Sequence, residues 1–289
     1  MKRLLTLAFS LSVLSISAQT LTLKWKTDPT LLVPESVLLD SKNKMLYVAC
    51  INGAPETKDG NGYIAQVGLD GKIIKLEWVT GLDGPKGMGL HNNILYVADI
   101  DRVVAIDVST GKITSTVAVE GAKFLNDVTV DKSGSVYVSD SNTGKIHVVK
   151  GNKAEVYFES TELKGVNGLL STGSDLYVVD FSTGINYKLS ANKKFTKFAT
   201  TAEGADGVVP VGKNEYLVSS WHGEVAHVNA KGEVKKLLDT RDQNLSAADI
   251  EYDQKTKTLF VPTFNANSVM AYTYSKQTIQ LKNKKGLLC

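Results

Sequence analysis

The stretch FLNDVTVDKSGSVYVSD, Phe124 to Asp140, decides the fold. It opens on a polar pair, Asn126-Asp127, before a short apolar strand, Val128 to Val130. A polar turn, Asp131 to Gly134, leads into a second strand, Val136-Tyr137-Val138, that runs out to Asp140. The same pattern occurs six times. Its cores are Leu46-Tyr47-Val48, Leu95-Tyr96-Val97, Val136-Tyr137-Val138, Leu176-Tyr177-Val178, Tyr216-Leu217-Val218 and Leu259-Phe260-Val261, spaced by 49, 41, 40, 40 and 43 residues. A third alternating strand follows each core, as in Val103 to Val108. A turn such as Ser109-Thr110-Gly111-Lys112 and a fourth strand, as in Val234 to Leu238, complete the unit. Four short strands per unit of this length, without helical periodicity, describe a propeller blade. The expected fold is therefore all-β, a six-bladed β-propeller of four antiparallel strands per blade. A lone four-stranded sheet cannot bury both faces, so the blades stack around an axis. The N-terminal strand Leu21 to Lys26 is expected to join the last blade, whose own fourth strand falls near Thr278 to Leu281. The long first spacing reflects a Gly-rich loop, Ile51 to Gly62.

Outside the repeat, the first eighteen residues read as a secretory signal peptide, the alternative being an uncleaved membrane anchor. Lys2 and Arg3 precede an uncharged apolar run from Leu4 that closes on Ile16-Ser17-Ala18, a small-residue cleavage site. No cysteine follows the run as a lipoprotein would require. This places residues 19–289 as one propeller domain, secreted or periplasmic, with no membrane association once the leader is cleaved. Removing the leader leaves 31 basic against 30 acidic residues. That balance argues against a nucleic-acid surface, and no basic patch with interleaved aromatics is present. Cys50 and Cys289 are too few for a disulfide framework, though a bridge between them is compatible with export. The sequence assigns no oligomeric state.

Blade topology identifies the face that carries chemistry. The start of each inner strand and the end of each second strand share one face. The six starts are Glu35, Lys86, Asn126, Asn167, Asp206 and Asp249, all polar. Apolar residues would pack such an axis, so the set predicts a polar pocket at the channel mouth. The alternative is that these residues cap strand ends in a solvated channel. At the ends of the second strands, Asp99, Asp140 and Asp180 recur in three blades. Repetition marks them as parts of the blade, carboxylates that accept backbone N–H groups in a turn.

The axial residues resemble the regucalcin/gluconolactonase (senescence marker protein) family. The resemblance rests on Glu35-Ser36 after Pro34, Asn126-Asp127 in FLNDVTVD, Asn167-Gly168 in GVNGLL and Asp206-Gly207 in GADGVV, and it spans essentially the mature chain. It implies a six-bladed propeller, a sugar-lactonase type of activity and one divalent metal held by Glu35, Asn167 and Asp206. It also implies a substrate contact from Asn126 and a general-base role for Asp206, which would ligate the metal as well. The chain departs from the family at Phe124, where its lactonases often carry an Arg. It departs again at Lys86 and Asp249, which are charged where the family is often small or apolar.

Two carboxylates and an amide carbonyl balance a divalent charge. All-oxygen ligation favours Ca²⁺, with Mg²⁺ or Mn²⁺ as alternatives, and disfavours Zn²⁺, which prefers His or Cys. An open metal position would polarise a lactone carbonyl while a carboxylate accepts the proton of the attacking water. Lys86 either orients a substrate carboxylate and stabilises developing negative charge, or forms an ion pair with Asp249 or Glu35. His222, at the end of the second strand in the fifth blade, is a candidate substrate contact, proton carrier or rim residue. His91, His147 and His227 show no ligand spacing. The chain lacks a G-x-S-x-G elbow, a Walker A loop, an H-E-x-x-H helix and a G-x-G-x-x-G loop. The reading is a metal-dependent hydrolase of a small lactone. Its rivals are a non-catalytic propeller binding a metal, small ligand or protein partner at the same mouth, and another enzyme such as a strictosidine-synthase-like one.

Overall fold

The structure, a computed structural model, describes residues 14–281. Six four-stranded antiparallel sheets form the six blades. Their inner strands are Pro34–Asp40, Leu125–Val130, Pro85–His91, Val166–Ser171, Ala205–Gly212 and Glu251–Asp253. In five blades the four strands follow one another in chain order, from the axis outwards. The six Tyr- and Leu-rich cores all fall on second strands, such as Met45–Cys50 and Val136–Asp140.

The sixth blade is assembled from both parts of the chain. Leu14–Lys26 pairs along Val269–Leu281 and forms the outermost strand. One point of the sequence reading is thereby corrected. Thr278 to Leu281 is not a separate fourth strand but the end of the long third strand, and the N-terminal strand takes the fourth place. The pairing includes Leu21↔Tyr274 and Lys26↔Met270. Trp25 locks this seam to the first blade: its indole N–H donates to the Leu69 carbonyl at 3.0 Å and its ring lies 5.8 Å from that of Phe260. Of the leader residues, 1–13 lie outside the described residues, and the backbone of 14–18 continues the outer strand. Cys50 is fully buried, while Cys289 lies outside the described residues.

Apolar residues alternate along the strands and are buried between blades. Leu46 and Val48 of the first blade pack with Phe260 and Val269 of the sixth. Tyr177 and Val179 of the fourth pack with Val208 and Val218 of the fifth. Each seam buries β-branched and aromatic side chains at a typical gain of about 1.5–3 kcal/mol per fully buried large side chain. Glycine permits the closest approach near the axis. A Cβ on Gly168 would stand 2.0 Å from the Asp206 carbonyl oxygen, and one on Gly207 would stand 2.4 Å from the Ile250 nitrogen. The glycines of the NG and DG pairs thus set the separation of neighbouring inner strands.

Polar residues also tie the blades together. Asp127 accepts from the Val128 N–H at 2.6 Å and from the Leu169 N–H of the next blade at 2.5 Å. The Ser36 hydroxyl donates to Asp249 at 2.6 Å across the first and sixth blades.

The recurring second-strand aspartates are structural. Asp99 accepts from Asp83 and Gly84, Asp140 from Lys123 and Phe124, and Asp180 from Lys164 and Gly165, all through backbone N–H groups. All three are fully buried. Asp180 also accepts from the N–H and hydroxyl of Thr183. Removing it strands several buried donors, at about 1–3 kcal/mol for each group left unpaired. Asp180→Ala is expected to lower the unfolding free energy by about 3 kcal/mol in urea titration, with the denaturant slope unchanged.

Candidate functional site

Each axial residue follows the same local logic. Five of them take the second position of an inner strand and Asp249 lies shortly before its own, and in the second, third and fourth blades the turn ahead is anchored by the aspartate that ends that blade's second strand. Glu35, Lys86, Asn126, Asn167 and Asp206 are all buried, and Asp249 is partly buried. Asp249 precedes its inner strand and reaches the first blade through a bridge with Ser36 and a backbone bond to the Glu35 carbonyl at 3.0 Å. Five of the six line one cavity of about 380 Å³: Glu35, Lys86, Asn126, Asn167 and Asp206.

Three oxygens in this cavity lack any hydrogen-bond partner: Glu35 Oε2, Asn167 Oδ1 and Asp206 Oδ1. Buried acceptors without donors are costly, and native structures rarely leave them so. These three belong to the three residues that the resemblance implies as ligands. Among the described residues, no three His, Cys, Asp or Glu side chains come together as a metal-binding group. The axial set reaches three oxygen donors only through the Asn167 amide. That donor set fits a hard cation whose remaining positions are filled by water or substrate.

The charge at the axis exceeds what two carboxylates supply. Burial, the Asp249 carboxylate and, against them, Lys86 set Glu35, whose pKa is pushed up to about 8. Burial pushes Asp249 up to about 7. Burial and then the charges of Glu35, Asp249 and Asp127 hold Asp206 well above the usual carboxylate range. Asp127 is raised by burial and by Asp249. Four carboxylates therefore feel one another, with Lys86 the cation among them.

Lys86 is not closely paired with Glu35 or Asp249. Its ammonium donates to the carbonyl oxygens of Gly84 and Pro55, each at 2.9 Å. It stands 4.4 Å from the centre of the Phe124 ring. Where the resemblance expects an Arg, this chain has an aromatic face, and a cation from the neighbouring blade sits over it. Burial lowers the Lys86 pKa, against the pull of Glu35. The Pro55 carbonyl comes from the Ile51–Gly62 loop, which is also tied to the second blade by the Gly60 N–H to Asp83 bond and a Lys58–Asp101 ion pair. Asn126 donates to the Ser141 hydroxyl at 3.3 Å.

The cavity wall holds residues to which the sequence reading gave no site role. Ile51, Phe181 and Trp221 each follow directly on the end of a second strand, and Phe264 follows one residue later in the sixth blade. With Phe124 they bring four aromatic rings to a wall that also holds Pro55, Ser141, Asn142, Lys164 and Ser182. The signal was available: the position after the second strand is a fixed register on the site face, and its residue changes from blade to blade. His222 is exposed and does not line the cavity. Its ring lies 6.1 Å from Phe181 and 5.6 Å from Trp221. Its neighbour in the chain, Trp221, lines the cavity instead. His147 and His227 are buried in outer strands away from it.

Comparison with solved structures bears on the architecture. A streptogramin B lyase superposes with a TM-score of 0.65 at 11% identity, over 90% of this chain and 98% of the other. The chain has the six-bladed propeller of these lyases. A catalytically inactive virginiamycin B lyase from Staphylococcus aureus, solved with quinupristin, gives 0.63 at 12% identity, over 89% and 99%. A chain of a nidogen/laminin complex gives 0.59 at 18%, over 72% and 80%. No protein-family model and no curated protein sequence matches the chain. At these identities the likeness is one of fold, shared with enzymes that act on small molecules.

The raised carboxylates make a prediction for the metal-free protein. A carboxylate whose folded pKa exceeds its unfolded value contributes stability at low pH and loses it as pH rises. For Glu35 that window runs from its ordinary 4.5 to about 8. In the presence of chelator, the wild-type melting temperature is expected to fall across this window. Glu35→Gln should flatten the fall by several degrees in thermal scans at about pH 5 and about pH 8.5. Parallel slopes for the two proteins would show that Glu35 does not titrate there.

Proposed function

We propose that the protein is a metal-dependent hydrolase of a lactone or similar small ester, acting at the axial cavity. The observation that carries this reading is the set of three unpartnered oxygens on Glu35, Asn167 and Asp206 at its floor. Glu35, Asn167 and Asp206 would hold a divalent cation, with Ca²⁺ favoured by the oxygen-only donors and Mg²⁺ or Mn²⁺ as alternatives. Such a cation supplies the polarisation of an ester carbonyl that makes it open to water.

The chain's own residues do the rest. Asp206 accepts the proton of the attacking water, a role worth about 10²–10⁴-fold in comparable enzymes. Asn126 lines the cavity and offers its amide to a substrate oxygen. Lys86, with two of its three N–H groups held by backbone carbonyls, places a fixed positive charge beside the reacting centre and stabilises negative charge developing there. The resemblance of the Glu, ND, NG and DG motifs to the gluconolactonase family supports the same assignment. The shared fold with small-molecule lyases is compatible with it.

Calorimetric titration with Ca²⁺, Mg²⁺, Mn²⁺ and Zn²⁺ tests the site. One equivalent of a hard cation is expected to bind the wild type, with affinity lowered at least about 100-fold in Asp206→Ala. Absence of binding to the wild type would sink the metal-hydrolase reading. Acid release from a lactone panel should require the cation and fall by about 10²–10⁴-fold in the same variant. Cation binding without acid release would leave a binding protein.

A further inference from the structure

The cavity has a polar floor and an aromatic wall, and the two make different demands on a ligand. A sugar lactone carries hydroxyl groups around its ring, and each one buried needs a partner. The wall has little to offer. Its Ser141 hydroxyl already donates to the Val166 carbonyl at 2.7 Å and accepts from Asn126. Lys86 is turned to two backbone carbonyls. The other polar wall residues, Asn142, Lys164 and Ser182, are exposed at the rim. Phe181, Trp221 and Phe264 are only partly covered and line the cavity, and Phe124, with Lys86 over one face, joins them. Trp221 and Phe264 meet edge to face at 5.3 Å and hold each other in place. Ile51 and Pro55 extend the apolar surface on the first blade.

Resting on the hydrolase reading above, we infer that the substrate is a lactone or ester with an aryl or alkyl body, not a polyhydroxylated one. Its carbonyl is directed to the floor between Glu35, Asn167 and Asp206. Its apolar body lies among Phe124, Phe181, Trp221 and Phe264, where displacing water from aromatic faces favours binding. A cavity of about 380 Å³ accommodates a molecule of one or two rings. Water adds its oxygen to the acyl carbon, and the acyl C–O bond to the leaving oxygen breaks. One proton ends on the released hydroxyl and the other passes through Asp206 to solvent, leaving a hydroxy-carboxylate. No oxidant or reductant is needed.

The test compares dihydrocoumarin with glucono-δ-lactone on the full chain in saturating Ca²⁺. Acid release gives kcat/KM, and calorimetry with the two stable product acids, 3-(2-hydroxyphenyl)propanoate and gluconate, gives binding. The aryl lactone is expected to be preferred by about 100-fold in kcat/KM, with its product acid bound at least about tenfold more tightly. Trp221→Ala and Phe181→Ala should each narrow that preference by about tenfold, while Trp221→Phe retains most of it. Thermal scans confirm that each variant is folded.

Faster turnover of glucono-δ-lactone, or tighter binding of gluconate, overturns the apolar preference and leaves the hydrolase reading standing. Tighter binding of the aryl acid with no turnover of either lactone overturns the hydrolase reading and leaves the preference standing. Failure of both acids to bind and of both lactones to react overturns both.

Discussion

The pairing of Leu14–Lys26 with Val269–Leu281 is the constraint on which the rest of this molecule depends. Glu35, Lys86, Asn126, Asn167 and Asp206 each come from a different blade, so the cavity they share exists only if the ring closes. Closure joins segments some 250 residues apart in the chain, and ordering so long a loop is entropically unfavourable. A long antiparallel register offsets that cost. It is reinforced by Trp25 against Phe260 and by backbone bonds from Thr27 and Leu31 into the last blade. Once the ring is closed, the six interblade cores hold the inner strands at fixed separations. The small residues of the GVNGLL and GADGVV stretches then let the axial side chains converge.

That convergence has an electrostatic cost. Glu35, Asp127, Asp206 and Asp249 are brought close enough that their charges oppose one another in a desolvated site. Asp127 and Asp249 also serve the architecture, through Leu169 and Ser36 respectively. The same carboxylates thus bind blade to blade, and burial with their mutual repulsion favours their protonated forms at the axis. A positive charge placed among these carboxylates would favour their ionised forms.

Much of this was legible before any coordinates. Period-two strands and a forty-residue spacing announce the blades, since each blade needs the same turns and the same alternation. The register of Asn126 within FLNDVTVD transfers to Glu35, Lys86, Asn167 and Asp206, and the structure brings all five to one cavity. Asp99, Asp140 and Asp180 were legible as construction because they repeat. Other features were not. The outermost strand of the last blade depends on which of two distant segments lies further out, and local pattern carries no such order. The charge at the axis was undercounted because register places a residue along its strand but does not sum the fields of side chains across the ring. The aromatic wall did not stand out because Phe181 and Trp221 sit one residue beyond the strand ends, in a register that holds no single residue type around the ring. His222 was singled out for its chemistry, although the turn carries it out to solvent.

The blade's two site positions, the one opening the inner strand and the one following the second strand, lie apart from the apolar faces that hold the ring together. A chain built this way separates its vocabulary from its grammar. Substitutions at Phe181 or Trp221 would change the wall of the cavity while the seams between blades keep their packing. Each blade can therefore be revised on its own, since no single strand carries the whole recognition surface. Propellers that share only about a tenth of their residues keep one architecture, and one fold can host unrelated functions. The symmetry of the scaffold is what makes the asymmetry of its mouth inexpensive to evolve.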